Sequence, residues 1–540
     1  MNKVVDTLGW DTVFAANYST VNEAIENEQT YPTNFNYVDK ELGMTIKGIW
    51  KSWRLIPGGS GGSVKMECII ESGTVEGFQQ PVGDLSSSCL IIRVRLSALE
   101  SDKHAFNDST GKVGTGQAMI LKINTHSTAE NVAVEVSQDS KYPNVKSVLF
   151  QDLLDGIFDK YFNEHISEFN HVFSIMMINV EAANDDFAWL KPSDFSYAVG
   201  GPEEGSIDEH VFGVLTMTDG ENISPKQQQA IDISCLQNLP MGANSAFVIS
   251  AEKVVQHMLL GGAIATIQGS KKEDFKINDD GISITNVNDI VWDKFEIGNG
   301  KVIEPMLNKG SFNMSMQNDH ILLEIIGAHY QQSLGLTVKM NLTQKFAYQT
   351  IQREDGKYVF VPDTSKYSKP DANATVEAAE WLKDVQIGLE IVSMLALVAF
   401  GASAVAKTVS EGAAITTEGS EIAFYLNTEE IGSESLIELD ELAAETIGNP
   451  IKKGGAAAVS KIKFATGFIS TMAGIGSLEI SVAKDIASKI AAKDYNNIPA
   501  FNDFAYNCLG AMKWPGMKDA ELISADIRQS LVIATKLDTN

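Results

Sequence analysis

Leu90-Ile91-Ile92-Arg93-Val94-Arg95-Leu96-Ser97 is the stretch on which the fold class turns. In an extended chain Leu90, Ile92, Val94 and Leu96 share one face, while Arg93, Arg95 and Ser97 share the other. Strand side chains alternate with period two, so this pattern describes a strand with one buried and one wet face. Such strands belong to antiparallel sheets, because parallel strands are covered on both sides and read as continuous apolar runs. The pattern recurs outward from here. Val132, Val134 and Val136 alternate with Ala133 and Glu135. A second block, 275 to 362, alternates Phe312, Met314 and Met316 with Ser311, Asn313 and Ser315. It then alternates Leu336, Val338, Met340 and Leu342 with Thr337, Lys339, Asn341 and Thr343.

Helical spacing flanks these strands. Trp10, Val13, Phe14, Asn17, Val21, Ala24 and Ile25 recur at i, i+3, i+4 and i+7, which predicts an opening amphipathic helix with Asn17 as the one polar residue on the stripe. Ser147 opens a second helix whose face carries Leu149, Leu153, Leu154, Ile157, Phe158, Tyr161 and Phe162. Pro57 to Gly62 reads as a flexible loop, residues 184 to 210 as a module boundary, and Ser224-Pro225 as a helix start. Ser250 caps a helix running towards Gly261-Gly262. From Thr375 to Lys493 the chain turns rich in Ala, Gly, Ser and Ile and reads as helical. The uncharged runs Ile391–Ala406 and Phe464–Leu478, 16 and 15 residues, are shorter than the roughly 20 that a spanning helix needs.

The chain has 540 residues, with Asp+Glu 70 against Lys+Arg 42, a formal charge of −28. That balance excludes a phosphate-neutralising nucleic-acid binder and general adhesion to anionic lipid. Cysteines at 68, 89, 235 and 508 form neither a CxxC pair nor a zinc pattern. Gly58-Gly59-Ser60-Gly61-Gly62 spells G-x-S-x-G, but the strand-like Val64 to Ile70 follows where a nucleophile elbow needs a helix. Asn278-Asp279-Asp280-Gly281 suits a hairpin turn and fails as a calcium loop, with Lys276 and Val287 at ligand positions. His165 and His171 are six apart and do not meet on a helix. Gly111-Lys112 and Gly300-Lys301 are followed by valine where a phosphate loop requires a hydroxyl. The expectation is a non-enzymatic protein with no cofactor, although a paired-carboxylate site would leave no local motif. Met1 to Asp6 shows no basic segment leading into an apolar one, so the expectation is cytoplasmic synthesis without a Sec signal and release by another route to act outside the cell.

Several stretches are familiar as a set. Leu8-Gly9-Trp10-Asp11-Thr12-Val13-Phe14-Ala15, with Ser19-Thr20-Val21-Asn22 and Trp53 before the glycine loop, resembles the opening of the clostridial forty-seven-kilodalton neurotoxin-cluster proteins. Trp189-Leu190-Lys191-Pro192, Phe195 to Val199, Asn244 to Ser250 and Lys513-Trp514-Pro515-Gly516 resemble the same family. The resemblance implies an α+β, OrfX-like, TULIP-type (tubular lipid-binding) body, with twisted antiparallel sheets on long helices that can part along an apolar seam. It also implies a place in a toxin system, as an accessory protein or one subunit of an insecticidal pair. The expected units are an N-terminal module at 1–200, a second β-rich module at 201–374, an Ala/Gly-rich helical segment at 375–497, and a returning helix and strand at 498–540. The long 375–493 insertion departs from the family core.

Two functional readings follow. In the first, Trp10, Phe14, Val21 and Ile25 face Leu90, Ile92 and Val94 across an apolar groove that takes lipid or a partner, such as a homologous toxin subunit or a toxin complex. In the second, the chain is a pore-forming subunit that inserts two helices into a membrane. The first would carry Ile391, Leu395, Leu397 and Phe400, and the second Phe468, Ile469, Met472 and Ile475. A bound lipid is the only small molecule either reading invokes.

Overall fold

A computed structural model describes residues 3–29, 31–77, 80–98, 106–107, 113–114, 117–123, 132–166, 169, 175–178, 185–202, 204–267, 269–292, 295–297, 301–333, 336–363, 366, 371–378, 413–418, 421–426, 489, 493–509, 517–518 and 520–538. The membrane-segment candidates at 391–400 and 468–475, and the motif at 513–516, lie outside the described residues.

A six-stranded antiparallel sheet joins distant parts of the chain. Its order is Asp194–Gly200, Val211–Met217, Thr12–Asn17, Ser245–Ile249, Ser530–Lys536, Glu521–Arg528. The first strand of the chain thus lies one strand away from the last. Both faces are covered. Phe14, Ala16, Tyr197, Phe212, Val214, Phe247 and Ile533 enter the main core. Val13, Ala15, Ala198, Val211, Leu215, Val248 and Val532 enter a second core, roofed by Ile223, Ile231, Ile233, Leu236 and Leu239. The boundary drawn at 200/201 falls between two hydrogen-bonded strands of this sheet.

Double burial explains one correction. The opening helix predicted from Trp10 begins only at Tyr18, and Thr12–Asn17 is a strand. A strand buried on both faces is apolar at every position and therefore also satisfies a helical template. Asn17, the odd polar residue of the stripe, is the N-cap; its side chain accepts from Thr20 N at 2.9 Å. The helix Tyr18–Glu28 ends at Gln29 in the left-handed region (φ 48°). Asn22 fixes it to the neighbouring sheet by accepting from Leu55 N (2.7 Å) and donating to Leu55 O (3.0 Å).

The N-terminal sheet runs Ile175–Ile178, Gln117–Ile123, Cys89–Ala98, Ser63–Gly77, Met44–Ser60, Asn34–Asp39, with Val134–Val136 paired beside Cys89–Ala98. Every pairing is antiparallel. Val148–Glu164 is the expected helix with Ser147 as N-cap, but Leu149 is 81% exposed rather than part of its inner face. The glycine run is not a free loop. The strand continues to Ser60, and Val199 N donates to Gly61 O at 2.8 Å, which docks the hairpin tip on the edge of the central sheet. Gly61 has φ 57°, and a Cβ on Gly62 would overlap the Gln229 side chain. Ser224-Pro225 makes a turn closed by Gln227 N to Ser224 O, and no helix follows.

The C-terminal sheet runs Phe275–Ile277, Ser283–Asn286, Phe312–Met316, Ile321–Ser333, Leu336–Phe346, Asp371–Ala378, Glu421–Leu426, Ala413–Glu418. The last three strands lie in or against the stretch read as helical, so that reading is corrected at 375–378, 413–418 and 421–426, while Lys489 is helical and Tyr495–Asn497 forms a 3-10 turn. Thr375 to Glu377 pair with Ala423 to Glu421, and such cross-strand pairing outweighs the helix preference of alanine. Asn278 to Gly281 is the expected turn, with Gly281 N donating to Asn278 O at 2.9 Å.

Candidate functional site

The seam between Val148–Glu164 and the N-terminal sheet is where a sheet and helix of this type would part. Leu154, Ile157, Phe158, Tyr161 and Phe162 point inward from the helix. Across from them the strands supply Phe35, Trp50 and Trp53. Ring centroids lie 4.6 Å apart for Phe35–Trp50, 5.5 Å for Trp50–Trp53, 5.9 Å for Trp50–Phe162 and 4.9 Å for Trp53–Phe169. These are contact separations for aromatic pairs.

Polar residues close the seam on both sides. Asp155, Asp159 and Asn163 recur every fourth residue and so share one edge of the helix. Tyr142 donates its hydroxyl to Asp155 at 2.7 Å, and Val136 N donates to Asp159. Asn163 accepts from Ala133 N and Val134 N (3.2 Å each) and donates to Val134 O at 2.7 Å. On the opposite edge Lys160 pairs with Asp39 at 2.9 Å and Tyr37 donates to Glu164 at 2.8 Å. Burial pushes the Asp159 carboxyl up to about 6 and raises Asp155 as well. For Asp39 burial acts upward, but the Lys160 ammonium and the backbone N–H groups of Leu42 and Glu41 outweigh it and hold the carboxyl low.

All seven groove candidates are buried, but they are not one surface. Phe14, Val21, Ile25, Leu90, Ile92 and Val94 belong to the main core. Trp10 lies in the second core, its indole N–H donated to Gln228 O at 3.0 Å. The described seam is made chiefly by Trp50, Trp53, Phe158, Tyr161 and Phe162. The helix aromatics were legible from spacing; the tryptophans were missed as a pair because a β-bulge between them breaks the simple alternation.

A second constellation escaped the sequence altogether. Lys253, 4% exposed, sits within 3.4 Å of Asp11, 3.1 Å of Asp219 and 2.9 Å of Glu221. Asp11 also accepts from Thr218 N at 2.7 Å. His257 Nε2 lies 2.7 Å from Asp219, and its ring stacks on Trp189 at 4.4 Å and 1°. Lys253 follows the N-cap Ser250, and His257 lies in a π-helical turn, Val255–Leu259. One ammonium thus ties the residue before one central strand, the turn after its neighbour and the helix leading out of a third. Burial acts to lower the Lys253 pKa, but the three carboxylates outweigh it; burial keeps His257 below its usual range. No local motif could show this, because Asp11, Asp219 and Lys253 come from three separate parts of the chain.

Among the described residues no group of three or more His, Cys, Asp or Glu is placed to hold a metal, and no helix is long and apolar enough to cross a membrane. A sequence profile described as "OrfX-like: Protein OrfX2/OrfX3/P47" matches residues 7–428. The chain belongs to the OrfX-like family. Protein OrfX3 of Paraclostridium bifermentans is 28% identical over 447 residues, 77% of this chain and 86% of its own length. Protein OrfX3 of Clostridium botulinum (strain Kyoto / Type A2) is 31% identical over 291 residues, covering 50% of this chain and 57% of its own. The P47 structure from C. botulinum A2 aligns with TM-score 0.52 at 16% identity over 78% of this chain and 98% of that one. P47 of C. botulinum E1 gives 0.55 at 15% over 98% and 99%. This OrfX-like chain therefore has the P47 fold, a TULIP-like α+β body, and is related to clostridial neurotoxin-cluster proteins whose names carry no enzymatic activity.

Proposed function

We propose that this OrfX-like chain is a non-catalytic component of a toxin system that works by binding another protein component through its surface. The observation that carries this reading is the filled seam. Helix Val148–Glu164 is held to the sheet by interlocked rings and by hydrogen bonds along both edges, so among the described residues this seam is filled side chain against side chain and leaves the outer surface to bind with. Membership in a family of toxin-cluster proteins supplies the class of partner. The test is size-exclusion chromatography of the full chain mixed with each of the proteins encoded beside it. Co-elution with one of them at micromolar concentration is expected. Migration as an independent species with every one, together with stoichiometric co-purified lipid, would replace the docking role with lipid carriage.

A further inference from the structure

The two edges of helix Val148–Glu164 are built from different chemistry. On one, the Lys160 ammonium lies 2.9 Å from Asp39 and 2.8 Å from Glu41, so carboxylates meet a cation. On the other, Asp155 and Asp159 stand one helical turn apart, and each accepts a hydrogen bond from across the seam, from the Tyr142 hydroxyl and from Val136 N. Tyr142 is fixed to the sheet side, because its neighbour Lys141 exchanges both backbone hydrogen bonds with Cys89, at 2.8 and 2.9 Å. These two contacts therefore close the seam across a helix–sheet boundary without a positive charge.

The charged groups that act on this edge are further carboxylates. The helix adds Asp152, and the strand Val134–Val136 adds Glu135. Nearby cations lie elsewhere. Arg93 stands opposite Glu135 in the next strand, and Lys65 takes Asp139 at 3.3 Å. Among the described residues, Lys141 and Lys146 of the connecting loop make no ion pair with Asp155 or Asp159. Burial lifts both carboxyls above their ordinary value. It takes Asp159 to about 6 against the pull of Val136 N, with Glu135 and Asp155 adding to it. A raised carboxyl penalises the closed seam above its folded value, and the penalty fades as pH falls through that value. A protonated carboxyl still accepts through its carbonyl oxygen, so neither closing hydrogen bond is lost. On the Lys160 edge, despite its burial, Asp39 is held low by the ammonium and stays ionised.

We infer that the Asp155–Asp159 edge is a pH-sensitive latch: proton loss loosens helix Val148–Glu164 along that edge, about the ion-paired Lys160 edge as hinge, and proton uptake draws it shut. The seam stays packed in both states; what titrates is how often it opens. Hydrogen exchange of the full chain, read by mass spectrometry over 148–164 at pH 5.0 and pH 7.5, tests it, with labelling times scaled for the intrinsic pH dependence of exchange. A carboxyl with a folded value of about 6 takes up its proton across that interval, worth up to about tenfold in the opening equilibrium. Solvent screening at a half-buried edge reduces this, and a threefold rise in protection at pH 5.0 is the smallest that the latch allows. Acidification also relieves the repulsion of a chain at −28, so the comparison with variants decides. Asp155→Asn/Asp159→Asn should hold the helix at the wild type's pH 5.0 protection at both pH values. Asp159→Asn alone should remove the larger part of the dependence, which keeps the test available if the double variant misfolds. Lys160→Met should lower protection by a similar factor at both pH values and leave the dependence in place. Wild-type protection that is flat or falls at pH 5.0 would overturn the latch. So would a rise that persists undiminished in the aspartate variants, or one that disappears in Lys160→Met.

Discussion

Replacing Lys253 by methionine removes the charge at the junction of three central strands while keeping the length of the side chain. Three carboxylates then lose their common cation, but not equally. Glu221 is 54% exposed and can turn to water, and Asp219 keeps His257. Asp11 is the trapped one, its carboxylate left with Thr218 alone. Breaking a buried pair by removing one partner costs about 3–5 kcal/mol. With a single stranded charge the lower end applies, about 3 kcal/mol. Hydrogen exchange of the helical segment 251–266, read by mass spectrometry, measures the opening free energy there without requiring the whole chain to unfold in one step. Burial already raises Asp11, and losing Lys253 raises it further. A raised carboxyl penalises the fold above its folded pKa, and the penalty fades as pH falls through that value. The deficit should therefore be smaller at pH 5 than at pH 8. Lys253→Met/Asp11→Asn should recover most of it. A deficit under about 1 kcal/mol, one that is flat with pH, or a double variant as weak as the single would refute the reasoning.

Trp53→Ala, which empties the centre of the seam, should lower stability by about 3–5 kcal/mol in urea titration. Asp159→Asn should stabilise the N-terminal unit at pH 7.5 by about 1 kcal/mol after allowance for solvent screening. That advantage should vanish near pH 4, because the wild-type carboxyl, with a folded value of about 6, takes up its proton between those limits. Gly62→Ala should loosen the docked hairpin tip, seen as faster limited proteolysis near residues 57–62, because the added methyl displaces Gln229 from Ser196. Leu149→Ser should change the melting temperature by under about 1 °C, the position being open to solvent.

Much of the architecture was legible because half-buried strands write their geometry into the chain. Leu90, Ile92 and Val94 do turn inward, with Arg93 and Arg95 outward, and the Ser147 cap marks a real helix. The reading failed where burial was two-sided. Thr12 to Asn17 has no polar face to set a period, and the cap at Asn17 was the only local sign that the helix starts late. It failed again at Pro57–Gly62, where glycines serve close approach to Gln229 and Val199 rather than mobility, a distinction that depends on distant neighbours. The Lys253 junction was illegible in principle, since charges 242 positions apart carry no joint signature.

The central claim is that the seam under Val148–Glu164 is a packed core and that the molecule works from its surface. Trp50 and Trp53 lie inside that seam and report on it directly. Emission should be followed while the full chain is titrated with phosphatidylcholine carrying dibrominated acyl chains, beside a Trp50→Phe/Trp53→Phe variant. Fractional quenching in the variant is expected to equal or exceed that of the wild type, because bromine never reaches those indoles and their removal takes away only unquenched emission. Quenching that is strong in the wild type and lost in the variant would mean that acyl chains enter the seam, and would contradict it.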